Sequence, residues 1–574
     1  LFLRENFGLE AGMACTIYSP FLGLVYFMPL VGGMMADKFG FGRMVTTGIM
    51  VMFGGYLLLS APLGGETVAM IAMMAALVLI SVGTGLFKGN LQVMVGNLYD
   101  DPKYADKRDS GFSLFYMAIN VGSLFAPTTA IGIKKWAETA LGYSSNDAYH
   151  FSFMVACAAL ILSILIYYVF RPTFRHVEGG KKKGEAAQVV DNLTPAETKQ
   201  RIIALCLVFA VVIFFWMAFH QNGLTLTYFA DEFTQTSAMG FTTMLFDVWN
   251  LALLIIAVYA TFSIFQSESA KGKIFSGIIA SAVLAFLVYR AMGIDATAEI
   301  AVAAPIFQQF NPFYVVALTP VSMAIFGSLA RKGKEPSAPR KIAYGMLVAA
   351  IGFAIMAVGS DGLNTPNDQA RSIAVNKAEM FADKCFNVAE NVDALKEADA
   401  KDNADLKAAQ DFMGKLTDKT RPVFTEVYNA QCVILAAEAA PVIEVTEATE
   451  AQTENTAVAE AKAQLEAVKA ETKPETRTSP YWLIFTYLIL TFAELLLSPM
   501  GISFVSKVAP PKLKGLMMGG WFVATAIGNM LVAVGGFLWA GIPLWSVWTV
   551  FIVLCLLSAL FMFVMMKRLE SATK

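Results

Sequence analysis

The chain has 574 residues, of which 56% are hydrophobic and 15% charged, and its mean hydropathy of +0.57 excludes an ordinary water-soluble domain. With 43 basic against 45 acidic residues it carries no surplus charge to hold a polyanion, so no nucleic-acid partner is expected. It reads as an all-α integral membrane protein whose first partner is the lipid bilayer.

Stretches of about 20 apolar residues, enough to cross ~30 Å of hydrocarbon, fall at 14–36, 43–62, 67–95, 111–132, 150–171, 201–226, 245–265, 273–293, 305–329, 341–359, 480–503, 514–538 and 545–566. In lipid, backbone groups must bond within their own segment, so helices are predicted; the alternation of a membrane barrel is absent. Lys and Arg fall unevenly in the connections: one alternate set holds 25, while the opposite short loops hold Arg4, Lys134, Lys135 and Arg290. The positive-inside rule places the first set, and the C-terminus, in the cytoplasm. Leu1 to Leu3, apolar and ahead of Arg4 and Glu5, read as the tail of a missing first helix. Restoring it gives fourteen spans with both termini inside; thirteen spans with an external N-terminus is the other reading.

Two polar segments interrupt the pattern. Residues 172–200, with Lys181, Lys182 and Lys183 in a row, read as a cytoplasmic linker. Residues 360–479 form an external hydrophilic insertion whose later part, rich in Ala, Glu, Thr and Lys, favours solvated helix or disorder over a packed β domain. A disulfide between its Cys385 and Cys432 is compatible with an oxidising periplasm. The chain thus divides into an N-terminal helical half at 1–171, the linker, a segment at 201–359 with an additional helix pair at 245–293, the insertion, and the last three helices and tail at 480–574.

Polar groups inside apolar spans mark cavities or helix contacts. In chain order, Lys88 lies within GTGLFKGNLQ, where Gly85 and Gly89 would let a neighbouring helix approach; a lysine snorkelling from a span edge is the alternative. FYMAINVGSL at 115–124 sets Tyr116, Asn120 and Ser123 on one stripe. His220, in FFWMAFHQNG, could carry a proton, and its neighbours Gln221 and Asn222 imply a wet surface; a satisfied core histidine is the bland alternative. Glu494, in TFAELLLSPMG, has Ser498 one turn away; a glutamate satisfied by a neighbouring helix is again the alternative.

FYMAINVGSL, GTGLFKGNLQ, FNP at 310–312, AELLLSP at 493–499 and MMGGWF at 517–522 together resemble the proton-dependent oligopeptide transporter family of the major facilitator superfamily. The loop from Gly33 to Lys38, with Gly40 and Arg43, is similar to the superfamily's cytoplasmic motif between helices two and three. The resemblance implies two six-helix halves rocking about a central site, here with helix one absent and an additional pair between helices seven and eight, where many bacterial relatives carry it between six and seven.

It also implies symport of di- and tripeptides with protons. On it, Lys88 matches the lysine that meets the peptide carboxylate side and exchanges ion pairs in coupling. Asn120, Asn311 and Glu494, with Ser498, match residues that hold the peptide backbone and amino terminus, and Tyr26, Tyr116 and Trp521 match cavity aromatics. Lys88, His220 and Glu494 are the proton-coupling candidates, His220 standing where many bacterial members carry a glutamate. The first-helix E-x-x-E-R signature is not present, and Arg4 and Glu5, at the external surface before helix two, do not replace it. A zwitterionic peptide needs a cation and an anion held apart with amides and aromatic walls between, which agrees with this set.

Transport of another small solute, such as nitrate, an amino acid or a peptide-like compound, remains an alternative, as does a non-transporting sensor built on the insertion. No nucleophile and base, phosphate loop or metal cluster is spaced for chemistry, so neither an enzyme nor a cofactor is expected. The expected location is the inner (plasma) membrane with the insertion outside; oligomeric state is left open.

Overall fold

The computed structural model describes residues 2–63, 65–98, 103, 108–178, 194–400, 403–439, 448–510, 513–539 and 541–571. The first group of helices is α1 (Phe2–Phe7), α2 (Ala11–Phe39), α3 (Phe41–Ser60), α4 (Glu66–Asn97), α5 (Arg108–Ala140) and α6 (Ser145–Phe174). Then come α7 (Pro195–Phe219), α8 (Thr225–Glu232), α9 (Thr243–Phe246), α10 (Val248–Gln266), α11 (Ala270–Met292), α12 (Phe310–Arg331) and α13 (Ala338–Gly359). Beyond them, α14 (Pro366–Cys385), α15 (Val392–Glu397), α16 (Ala404–Gly414), α17 (Arg421–Ala439) and α18 (Ala448–Ala470) make up the insertion. The chain returns to the bundle as α19 (Tyr481–Val508), α20 (Lys514–Met530), α21 (Ala533–Trp539) and α22 (Leu544–Ser571). Among the described residues, 12 helical stretches are long and apolar enough to cross a membrane; α5 occupies the remaining sequence-derived span.

Local signals account for the boundaries. Gly40 ends α2 at φ 89, a conformation that favours glycine, and α3 starts directly after it. Thr194 and Glu197 close a capping box at the start of α7, with Pro195 at the first helical position. Small residues then set the packing: a side chain on Gly85 of α4 would overlap the backbone of Met28 on α2, so the two axes approach closely there.

α2, α3, α4 and α6 pack together as one group, and α7, α12, α13, α19, α20 and α22 as another. The groups meet where α2 runs along α20 and α21 and where α5 lies against α12. The α10–α11 hairpin reaches the bundle through α10, which touches α12 and α5. Its α11 exposes Ile274, Phe275, Tyr289 and Met292, side chains a lipid phase would cover. Two short strands, β1 (Ser237–Met239) and β2 (Glu299–Ala301), pair antiparallel at the hairpin's open end.

Two sequence expectations change. The span expected at 201–226 is not one helix: α7 stops at Phe219, His220–Gly223 form a 3-10 turn, and α8 restarts after Leu224. The described later part of the insertion is helical, within the expectation, but it is not simply solvated, since α18 turns Ala461, Leu465 and Val468 into a core of the insertion. In that core Phe412 lies 5.7 Å from Phe424, and Phe424 stacks on Tyr428 at 5.9 Å, ring centroid to centroid. Cys385 and Cys432 are buried in that core as free thiols.

Candidate functional site

The break between α7 and α8 builds one side of the site. Gln221 is 0% exposed, and its amide donates to Met217 O and to Val532 O, 3.1 Å each. This corrects the sequence reading of Gln221 as part of a wet surface: it ties the turn to the α20–α21 junction. The backbone carbonyl of Asn222, freed from the helix ladder, accepts from Tyr487 OH of α19 at 2.9 Å.

His220 heads this turn. Its ring stacks on Trp216 one turn earlier (5.1 Å, interplanar 23°) and meets Tyr26 of α2 at 6.0 Å. His220 Nε2 and Trp216 Nε1 are buried with no hydrogen-bond partner among the described residues. On Tyr26 the other visitor is Lys88 of α4, whose Nζ lies 4.3 Å from the ring centroid. The sequence-derived residues Tyr26, Lys88 and His220 are therefore brought together, from three helices, with a cation over an electron-rich ring face. Trp216 was missed; its signal was the four-residue spacing to His220.

The second cluster lies on α19. Tyr487, Thr491, Glu494 and Ser498 recur at helical spacing on one face. Asn311, in the first turn of α12, donates its amide to Thr491 Oγ1 at 3.0 Å and to Glu494 Oε2 at 3.1 Å. Pro312 fits that first turn because its missing N–H needs no partner there. Glu494 is 8% exposed, so this bond is made where water competes little. Ser498 Oγ is buried without a partner among the described residues. Thr491 is a further member not singled out from sequence, three residues before Glu494. Tyr487, bound to the turn after His220, lies two helical turns from Glu494 and so links the clusters.

Asn120 of α5 is buried. Trp521 of α20 is 3% exposed and packs over Gly501 of α19, where any Cβ would fall inside the indole. The GGW triplet is thus a three-way junction: a side chain on Gly519 would meet Leu30 of α2, one on Gly520 would meet Phe209 of α7, and Trp521 reaches α19. The Tyr116, Asp37 and Lys38 side chains lie outside the described residues.

Arg4 and Glu5 are not surface charges. Arg4 Nη1 meets Glu232 Oε1 of α8 at 2.6 Å and its guanidinium lies 4.5 Å from the Tyr228 ring centroid, while Trp539 Nε1 donates to Glu232 Oε2 at 3.0 Å. Glu5 accepts from Tyr149 OH at 2.6 Å and faces Lys134 and Lys415 at 3.4 and 3.7 Å. These residues close the end of the bundle that carries the insertion.

No group of three or more His, Cys, Asp or Glu side chains is placed to hold a metal among the described residues. The described residues thus hold a cation over an aromatic ring on one group of helices and an amide-bound carboxylate on the other.

The sequence matches the POT family over residues 43–196, 274–381 and 453–537, more than half of the chain. It is 30% identical over 370 residues to the uncharacterized transporter YclF of Bacillus subtilis, a match spanning 62% of this chain and 66% of that protein, just under two thirds of its length. It is 26% identical over 392 residues to dipeptide and tripeptide permease B of Salmonella typhimurium, covering 64% of this chain and 70% of the permease. With the peptide transporter YePEPT of Yersinia enterocolitica it shares 24% identity over 556 residues, 92% of this chain and 80% of that one. Its fold is similar to the crystal structure of peptide transporter POT with sulfate, with a TM-score of 0.59 at 19% identity, covering 99% of this chain and 89% of the other.

Proposed function

This chain belongs to the POT family, and from that premise we propose that it carries di- and tripeptides with protons into the cell by alternating access. In this reading Lys88 receives the peptide carboxylate, and Glu494, held by Asn311, receives the amino terminus. Asn120 and Ser498 bind the backbone, and Tyr26, Tyr116 and Trp521 form the walls. The basic connections face the cytoplasm, the insertion faces outward, and the bundle rocks between 1–171 and the helices after 201.

The observation that carries this reading is the pairing of Asn311 with Glu494 at 3.1 Å. It fixes a buried carboxylate on α19 while the Lys88 ammonium stands over Tyr26 on the other helix group. A zwitterion bridging the two would replace an aromatic partner of Lys88 with a full anion, an exchange that gains energy in a site shielded from water.

Lys88, His220 and Glu494 are the proton-coupling groups of the proposal. Lys88 and His220 flank one ring, so a proton gained by His220 repels the ammonium and favours its departure from Tyr26. Uptake of a labelled dipeptide into proteoliposomes under an inward proton gradient tests the function. Gradient-dependent accumulation that Lys88→Ala abolishes is expected; accumulation of nitrate or single amino acids in its place would overturn the substrate assignment. His220→Gln should bind peptide yet lose acceleration by the gradient, and full proton-driven uptake by this variant would remove His220 from the coupling set.

A further inference from the structure

The insertion is fastened to the bundle twice, once to each helix group. Its covalent ends join α13 and α19, and its base is pinned to α8 of the same group. Gln369 Nε2 donates to Glu232 O at 2.9 Å and to Thr476 O at 2.8 Å. Arg477 Nη1 donates to Thr234 O at 2.7 Å, and Thr234 and Thr478 form a parallel bridge. These buried backbone contacts make the base part of that group.

Among the described residues, the far end reaches the other group through the stretch 407–421. Lys407 Nζ donates to Gly142 O at 2.9 Å. The Asp411 carboxylate accepts from Ser145 N at 3.3 Å. Lys415 pairs with Glu5 at 3.7 Å and Lys419 with Glu10 at 3.2 Å. Gly8, at φ 61 in the turn after α1, lies so close that a Cβ would sit 3.3 Å from Leu416 O. These contacts fall on α1, the turn after it, the α5–α6 turn and the first residue of α6. Beneath them, Arg4 and Glu232 join the same two groups.

We propose that the inserted helical domain is a clasp: seated on the second helix group and gripping the first through residues 407–421, it holds that end of the bundle shut and must release before the end can open. The asymmetry of its attachments supports this. The base has two covalent joints beside its hydrogen bonds, while the grip has side-chain contacts alone: Lys419–Glu10 is half-exposed and open to screening by salt, and Lys415, itself a third exposed, reaches the more buried Glu5 across 3.7 Å. A permanent brace would need no such difference; a latch does. The inserted domain also has its own core, so it can move as a unit while its grip breaks.

The proposal rests on the alternating-access reading, and two experiments separate their failures. A Cβ on Gly414 would lie 3.3 Å from Asn146 Nδ2, so Gly414→Cys and Asn146→Cys face each other across the grip and can be joined by oxidation, directly or through a short dithiol linker. Oxidation should cut dipeptide uptake at least tenfold, with recovery on reduction and no effect in either single variant. A cross-linked protein that transports at the full rate overturns the clasp.

The second experiment needs no substrate. Spin labels at Leu141→Cys and Trp545→Cys, on opposite helix groups at the insertion end, with exposed Cys206 replaced by serine, report the separation directly. Combining Lys407→Ala, Asp411→Ala, Lys415→Ala and Lys419→Ala should add a population at longer distance. An unchanged distance distribution overturns the proposal, and it does so even if the reduced protein moves no peptide, a result that would count against the peptide reading alone.

Discussion

Lys88 rests its ammonium on the face of Tyr26, 4.3 Å from the ring centroid, so the charge on α4 is held by an electron-rich ring of α2. Such a contact is worth roughly 0.5–2 kcal/mol, rising as water is excluded. Tyr26→Phe keeps the ring face, whereas Tyr26→Leu removes it and frees the ammonium. Peptide uptake measured against concentration should leave the phenylalanine variant within about threefold of the parent, while the leucine variant, which removes the partner that the peptide carboxylate must displace from Lys88, should lower KM by about 2–30-fold. Equal behaviour of the two variants would show that the ring contributes bulk alone.

Asn311 reaches Glu494 and Thr491 with one amide nitrogen. Asn311→Leu removes a charge-assisted bond from a buried carboxylate, an interaction worth about 1.5–3 kcal/mol. Dipeptide affinity measured by calorimetry should fall about 10–100-fold, and Asn311→Gln, one methylene longer, should recover part of it. Thr491→Val, which deletes a neutral partner, should cost less than tenfold, because a neutral bond is worth about 1 kcal/mol.

Much of this was legible in the sequence, for a reason that also sets its limits. Hydropathy reports each span separately, and lipid imposes the helix, so the spans and the lone polar residues within them stand out. Gly85 was readable as a close approach because small residues in a span have few other uses. The partners were not readable: Asn311 and Glu494 are 183 positions apart, and nothing local says that α12 and α19 touch. The HQNG turn misled because polarity alone does not separate a wet surface from a buried junction such as Gln221. The insertion misled in the opposite sense, since its Ala- and Glu-rich later part masks the Phe381, Phe412, Phe424 and Tyr428 core contributed by earlier helices.

Gly501 and Gly54 are both helical glycines, yet their surroundings differ. A Cβ at Gly501 would fall inside the Trp521 indole, whereas nothing lies within 4 Å of one at Gly54. Gly501→Ala should therefore destabilise by about 1–3 kcal/mol through overpacking and displace Trp521, visible as a change in tryptophan fluorescence. Gly54→Ala should be neutral or stabilising by up to about 1 kcal/mol, because alanine loses less backbone freedom in a helix. Thermal melting of the two purified proteins checks the contrast.

Glu5 supplies the pH dependence. Burial alone would raise its pKa, but Lys415, Lys134 and the Tyr149 hydroxyl stabilise the carboxylate and bring it from 4.5 down to about 2. A depressed carboxylate contributes stability above its unfolded value and loses it as pH falls through the folded one. The contribution is therefore complete above about pH 4.5 and fades toward pH 2, with a ceiling of roughly 3 kcal/mol. Glu5→Gln should melt lower than the parent at pH 7, and the gap should narrow steadily as the pH is taken from 5 toward 3. A gap that stays constant over that range would mean that Glu5 acts through packing and hydrogen bonding, with its charge contributing nothing to the hold of Lys415 on the first helix group.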